Sequence, residues 1–457
     1  MVRLYPGKPL SSSKIIEPMH PSRIALVFIV LLSFSTVSAF TVTNEYPLSW
    51  DVWYHLRISR QFSEGHITWD SGSFGPQGRA HTYPPVFHLF TALVYRGTGL
   101  PLETLARVMP PFLAALTIVT VYLLARTLFS EKIALSSCLL AAVCPLFLDR
   151  AVSYTPELLA FTLFNLGLYA FYKEKWIFSG LIGGLLILTH GLSGAAFLAV
   201  IFMYTPLALA ILKKNHLKHF IATVLIITFI AAPWVLLQPP AFFPKGFAYP
   251  LELYPEKLGV ITLLLAFLGA TFLARKKETV FILSGVGSLF LLSQAAFSLP
   301  YRFVEFLLFP VAILAGVFLS RISRYRLVIP LFLLAFAQSY WVIEPYHPVV
   351  TDEQAQSYTW LSSSSISGST VICEWRTAPV IAYFSHTPPV KGAYQFGAPD
   401  LVKRTADTTA FYTDYDISIL QLYNTSFILY GTEEHVLYSE PPFNRVYAAG
   451  ETAFYHQ

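Results

Sequence analysis

Apolar runs of membrane-spanning length recur along this chain, and every second junction between them is basic. A helix needs about 20 apolar residues to cross a hydrocarbon core of about 30 Å. Runs that approach or reach this length lie near Ile24–Phe40, Leu105–Leu128, Ile133–Leu148, Glu157–Tyr172, Trp176–His190, Leu192–Leu212, His219–Leu237, Leu258–Ala274, Thr279–Phe297, Phe303–Leu319 and Leu327–Ile343. With the N-terminus inside, the inner junctions carry Arg126 and Lys132; Lys173 and Lys175; Lys213, Lys214 and Lys218; Arg275, Lys276 and Lys277; and Arg321, Arg324 and Arg326. Lysine and arginine collect on the cytoplasmic side. The pattern therefore predicts an α-helical polytopic protein of the plasma membrane, with about eleven transmembrane helices and a cytoplasmic N-terminus.

Composition excludes the soluble alternatives. Of 457 residues, 55% are hydrophobic and only 12% charged, too little charge to cover a water-soluble surface of this size. The formal charge of +5 sits largely in short loops, where it orients the chain, and is not a nucleic-acid footprint. Membrane lipids are the expected surroundings. Cys138, Cys144 and Cys373 are scattered and make neither a disulfide framework nor a zinc pattern. Arg3, Lys8, Lys14 and Arg23 precede a run ending in Val37-Ser38-Ala39, which reads as a retained signal-anchor because it is longer than a usual signal-peptide core, with a cleaved signal sequence as the alternative.

One apolar stretch breaks the pattern. Tyr83–Tyr95 is about 13 residues, roughly 20 Å as a helix, too short to span. If it crossed, every later basic loop would fall outside. It reads as an interfacial or re-entrant helix within a long first outer loop, residues 41–104.

This sidedness gathers polar residues on the outer face. They are Asp51, His55, Arg57 and Arg60; Asp149, Arg150 and Glu157; His190; Lys245 and Glu252; and Arg302 with Glu305. Ionisable groups at membrane depth are costly and point to function. The membrane bundle is expected to occupy residues 1–343. Residues 344–457 turn polar and read as a small extracytoplasmic α/β domain. Its expected elements are helices at Asp352–Leu361, Ala378–Phe384 and Ile417–Tyr423, strands at Thr370–Glu374 and Ser426–Tyr430, and a strand pair near Val446–Tyr455. Asn424-Thr425-Ser426 matches an N-x-S sequon, a short pattern that equally suits the start of a strand.

The densest polar cluster is Ser49–Arg60. On a helix, Asp51 and His55 share a face, with Arg57 and Arg60 beside it. Oxygen ligands from Asp51 and Glu157, with His55, suit Mg²⁺ or Mn²⁺, which would neutralise a phosphate leaving group. The plainer alternative has Asp51 capping one helix and Glu157 starting another after Thr155-Pro156. His55 is equally a member of the Trp50/Trp53/Tyr54 aromatic belt. Arg302, after Leu299-Pro300-Tyr301, is placed to grip a lipid-linked phosphate at two points. It is also placed to snorkel, or to pair with Glu305 one turn along. His190 in His190-Gly191-Leu192-Ser193-Gly194 either faces a cavity or merely precedes a tight turn.

Three motifs together resemble GT-C glycosyltransferases: Asp51-Val52-Trp53-Tyr54-His55-Leu56-Arg57, Gly78-Arg79-Ala80-His81-Thr82-Tyr83-Pro84-Pro85-Val86-Phe87-His88, and Asp149-Arg150-Ala151-Val152-Ser153-Tyr154-Thr155-Pro156-Glu157. They are most similar to archaeal-type relatives of the oligosaccharyltransferase catalytic subunit. The resemblance implies a GT-C-like bundle that transfers a sugar or oligosaccharide from a polyprenyl-phosphate-linked donor to a protein, lipid or glycan acceptor on the outer face. It implies Asp51, Glu157 and Arg302 as catalytic residues, and Asp51, Glu157 and His55 around a divalent metal. Substrate contacts would come from His55, Arg57, His81, Arg150, His190, Glu305 and Trp375. Two departures stand out: Thr155-Pro156 precedes Glu157 where the family often has an aspartate, and Glu374-Trp375-Arg376-Thr377-Ala378 replaces the Trp-Trp-Asp-Tyr-Gly signature. Two rival classes are a transporter or flippase of lipid-linked sugars and a non-catalytic assembly subunit. The first would be expected to show repeated halves and charges at the bilayer midplane, and the sequence shows neither. The second would tolerate alanine at Asp51 and Glu157.

Overall fold

The computed structural model describes residues 21–237, 247–274, 276–295, 299–322, 325–343, 348–364, 368–392 and 398–456. Arg3, Lys8, Lys14, Lys245, Arg275 and Arg324 lie outside them. The membrane part runs through α1 (Pro21–Thr41), α2 (Trp50–Ser63), α3 (Val86–Thr98), α4 (Leu102–Leu128), α5 (Glu131–Ala142), α6 (Pro145–Ala151), α7 (Pro156–Tyr172), α8 (Trp176–Thr189), α9 (Gly191–Leu212), α10 (Leu217–Leu237), α11 (Tyr254–Leu258), α12 (Val260–Ala270), α13 (Lys277–Gln294), α14 (Tyr301–Leu319) and α15 (Tyr325–Ile343).

Each of the eleven apolar runs corresponds to a helix or a helix pair. Among the described residues, five helices (α1, α4, α9, α10 and α14) are long and apolar enough to cross a membrane, or seven if each of two bent pairs is one span. Part of the difference from eleven is length, with α7 at 17 residues and α8 at 14, and part is bending. Pro145 opens α6 and turns it 63° from α5, and Gly259, at φ +84°, turns α12 by 101° from the short helical segment before it. The stretch expected at the interface folds as α3, 13 residues closed by Gly99 in the left-handed region.

The bundle packs where side chains are small. A Cβ on Gly269 of α12 would collide with the Leu314 carbonyl of α14, and one on Gly316 of α14 would collide with Ser137 of α5. With no hydrophobic drive between helices in lipid, such close backbone approach supplies much of the attraction. α14 lies at the centre, buried along almost its whole length.

The loop between α2 and α3 is tied at two points. β1 (Trp69–Asp70) pairs with β2 (Arg79–Ala80), and the buried Asp70 carboxylate takes Arg57 at 2.7 Å and Arg79 at 3.3 Å. The C-terminal segment forms α16 (Asp352–Ser364), β3 (Thr370–Ile372), α17 (Ala378–Phe384), α18 (Leu401–Asp414), α19 (Ile417–Leu422), β4 (Thr425–Tyr430), α20 (Thr432–Leu437), β5 (Asn444–Ala449) and β6 (Thr452–His456). Its sheet runs β3-β4-β6-β5, with the first pair parallel and the rest antiparallel.

α17 brings this segment against α2. Trp53 of α2, fully buried, sits 5.0 Å from the rings of both Tyr383 and Phe384. The Arg404 guanidinium of α18 donates to the carbonyls of Gly75 and Val390, joining the α2–α3 loop to the sheet.

Candidate functional site

Two polar groups meet at the end of the bundle covered by α2 and α3. The first is on those helices. Asp51 occupies the first turn of α2, and one turn along its Oδ1 lies 3.8 Å from Nε2 of His55. The other His55 nitrogen is 2.9 Å from Nε2 of His88 on α3, so one ring donates to the other. His81 stacks edge-on against His88 and Phe62. Burial pushes His81 down to about 4 and His88 well below its ordinary value. Both rings are therefore neutral near pH 7.

Arg57 and Arg60, the arginines beside Asp51 in sequence, point elsewhere. Arg57 is buried on Asp70 and also donates to Ser73 at 2.6 Å. Arg60 lies over the Tyr383 ring at 4.3 Å. Arg57 thus braces the loop that carries His81, and the geometry ties it to the loop's fold.

The second group joins four elements. Glu157, at the start of α7 after Pro156, accepts from Arg302 in the first turn of α14 at 2.6 Å. His190, between α8 and α9, places Nε2 3.5 Å from the same carboxylate oxygen, while its Nδ1 is 2.6 Å from Ser193 Oγ. Glu305, one turn after Arg302, takes that arginine at 3.1 Å and Arg150 of α6 at 2.9 Å. Both glutamates are buried, and the bend between α5 and α6 delivers Arg150 to them. Such a network is stable in a low-dielectric setting only because each charge meets an opposite one.

The Tyr83 ring connects the two groups, 4.8 Å from the His55 ring and 6.5 Å from that of His190. Trp375 also belongs to this end of the molecule, edge-on to Trp50 at 5.1 Å, one residue from Asp51. Its neighbour Glu374 is buried and committed to Lys391 at 3.3 Å and the Tyr438 hydroxyl at 2.8 Å. The expected site residues thus separate into Asp51, His55 and Trp375 near α2; Glu157, His190, Arg302, Glu305 and Arg150 across the bundle; and Arg57 and His81 in the packed loop. His88, Tyr83 and Asp70 were absent from the expected set. The signal for His88 was its place in the motif that already held His81.

The carboxylates of Asp51 and Glu157 each bury an oxygen that accepts no hydrogen bond among the described residues. Hard divalent cations bind such oxygens. Among the described residues, however, no three of His, Cys, Asp and Glu converge as a ligand set, and the other Glu157 oxygen is held by Arg302.

Solved structures share this fold. The oligosaccharyltransferase of Archaeoglobus fulgidus in its apo form matches with TM-score 0.70 at 14% identity, over 90% of this chain and 69% of that one. The same enzyme in complex with Zn and sulfate matches at 0.68 and 16% identity, over 89% and 67%. ArnT from Cupriavidus metallidurans, bound to undecaprenyl phosphate, matches at 0.65 and 14% identity, over 95% and 97%. No curated protein matches the sequence. At 14–16% identity these likenesses establish the fold, a helical membrane bundle of GT-C type. Residues 22–255, just over half of the chain, match the family model for the N-terminal part of oligosaccharyl transferase STT3, and the chain belongs to that family.

Proposed function

We propose that this protein transfers a sugar or oligosaccharide from a polyprenyl-phosphate carrier to an acceptor on the outer membrane face. The observation that carries the reading is the buried Glu157–Arg302 pair, 2.6 Å apart, with Arg150, Glu305 and His190 around it, at the same end of the bundle as Asp51. A guanidinium at the mouth of a span is suited to a phosphate that must leave with a full charge. Family membership supports the reaction class. The polyprenyl phosphate bound by ArnT supports the donor class.

In the proposed reaction Asp51 accepts the proton of the acceptor nucleophile. The nucleophile attacks the anomeric carbon, the bond from that carbon to the phosphate oxygen breaks, and the electron pair leaves with the phosphate beside Arg302. Trp50 and Trp375 offer aromatic faces beside Asp51 for an acceptor or its sugar. A bound Mg²⁺ or Mn²⁺ would supply Lewis-acid stabilisation of the phosphate charge, and Asp51 and Glu157 are the residues that would hold it. His55 would orient Asp51, held from behind by His88.

The acceptor is proposed to be something other than an N-x-S/T peptide. Where the family signature stands, this chain has Glu374 bound internally to Lys391 and Tyr438, and Trp375 packed on Trp50. The test is sugar transfer in membranes from a mixed pool of polyprenyl-linked donors, with products read by mass spectrometry and with EDTA and Mn²⁺ arms. Asp51→Ala is expected to lower transfer at least ~100-fold, the low end of what a positioned base contributes. Equal transfer by wild type and a folded Asp51→Ala would remove Asp51 from the chemistry.

A further inference from the structure

We infer that Arg150 and Arg302 form a two-guanidinium site for the donor phosphate, with Glu305 as its resident stand-in. The inference rests on the lipid-phosphate reading above and adds to it a second phosphate-binding arginine and an exchange of partners. A single Glu305 oxygen receives both arginines, Arg150 Nη2 at 2.9 Å and Arg302 Nη1 at 3.1 Å. The second Glu305 oxygen accepts no hydrogen bond among the described residues, and neither arginine's Nε–H has an acceptor there.

That pattern is not the one a purely structural ion pair favours. A guanidinium and a carboxylate gain most by lying fork to fork, with two parallel hydrogen bonds. Here each arginine gives Glu305 one terminal nitrogen, Arg150 its Nη2 and Arg302 its Nη1, so that Arg150 keeps only its Nε–H without an acceptor while Arg302 keeps its whole Nε–Nη2 edge off Glu305. This edge is the one that meets two oxygens of a phosphate at once. The placing agrees: the Arg150 and Arg302 side chains keep 23% and 15% exposure, whereas Glu305 keeps 1%. The guanidiniums lie nearer the surface than the carboxylate they share.

Charge sets the direction of the exchange. Two arginines face Glu157 and Glu305, Asp149 lies within their field, and His190 and Tyr301 complete the surroundings. The network already has its cations matched, so a phosphate binds only if the arginines turn part of their hydrogen bonding from Glu305 to it. Loose single-oxygen pairing makes that turn easy, and the carboxylate takes the arginines back when the phosphate departs.

The test uses the full-length protein in nanodiscs, with a polyprenyl monophosphate and the polyprenol of the same length as probes. Glu305→Gln keeps the shape and removes the competing charge, and is expected to tighten monophosphate binding about ten-fold. Arg150→Met is expected to weaken it about ten-fold, with polyprenol binding unchanged in both variants. Since a brace for Arg302 would give the opposite sign, weaker or unchanged monophosphate binding by Glu305→Gln overturns the stand-in role. Arg150→Met binding like wild type overturns the second arginine, and a variant that merely unfolds declares itself by losing the polyprenol too. Equal competition by phosphatidic acid overturns the assignment to the donor. If wild type does not distinguish monophosphate from alcohol, the underlying lipid-phosphate reading falls first.

Discussion

Asp70 shows how a single buried side chain can set the shape of the region around a site. Burial by itself would push its carboxyl upward; the Arg57 and Arg79 guanidiniums outweigh that and hold it below the usual carboxylate range. Asp70→Asn leaves two buried arginines short of a counter-charge and is expected to cost about 3–5 kcal/mol, read as a lower denaturation midpoint in detergent. The pH dependence follows from the direction of the shift. A carboxyl with a lowered folded value stabilises fully above its unfolded value, about 4, and the contribution fades as pH falls through and below it. The wild type should therefore lose stability on acidification below about pH 4, and the variant should lose less. Parallel pH profiles would remove Asp70 from this role. None of this was legible in the sequence, where Asp70 is one polar residue in a glycine-rich loop. Its partners are 13 and 9 residues away, at separations that no helix or strand period singles out. Asp51, Glu157 and Arg302 were legible because each begins or borders an apolar run, where a charge needs a reason.

Among the elements, helix boundaries followed the local code and pairings did not. α17 spans Ala378–Phe384 as its sequence predicts, an apolar run with Pro379 in its first turn. α18 was missed because Thr405, Thr408, Thr409 and Thr413 are poor helix formers and packing overrides their preference. The partners of α14 likewise depend on which small residues meet. Gly269→Ala is expected to force α12 away from the Leu314 carbonyl of α14 and to cost about 1–3 kcal/mol. Gly287→Ala on α13, where an added Cβ meets nothing within 4 Å, is the control and should stay within about 0.5 kcal/mol of wild type. Equal thermal midpoints for the two variants would show that the α12–α14 contact is looser than its geometry says.

For the whole molecule, the C-terminal segment covers part of α2, the helix that carries Asp51 and His55 of the candidate site. Trp53 and Arg57 of α2, and Arg79 of the following loop, are buried, and part of their cover is Tyr383, Phe384 and the Arg404 clamp on Gly75. A chain cut before residue 348 keeps every helix of the membrane bundle but uncovers the face of α2 on which α17 packs. Trp53 then exposes a large aromatic surface, a loss of about 3–5 kcal/mol by analogy with truncating a buried tryptophan. Arg404 no longer holds the loop at Gly75. The bundle should remain in the membrane, since its lipid-facing helices are untouched, while α2 and its loop lose order. Trypsin is the suitable probe because its targets are the buried arginines themselves. In the full-length protein Arg57 and Arg79 should resist cleavage; in the truncated chain both should be cut, and transfer should be lost with them. Protection that survives truncation would mean that α2 is held by α3 and α4 alone, and that the C-terminal segment touches the site without forming it.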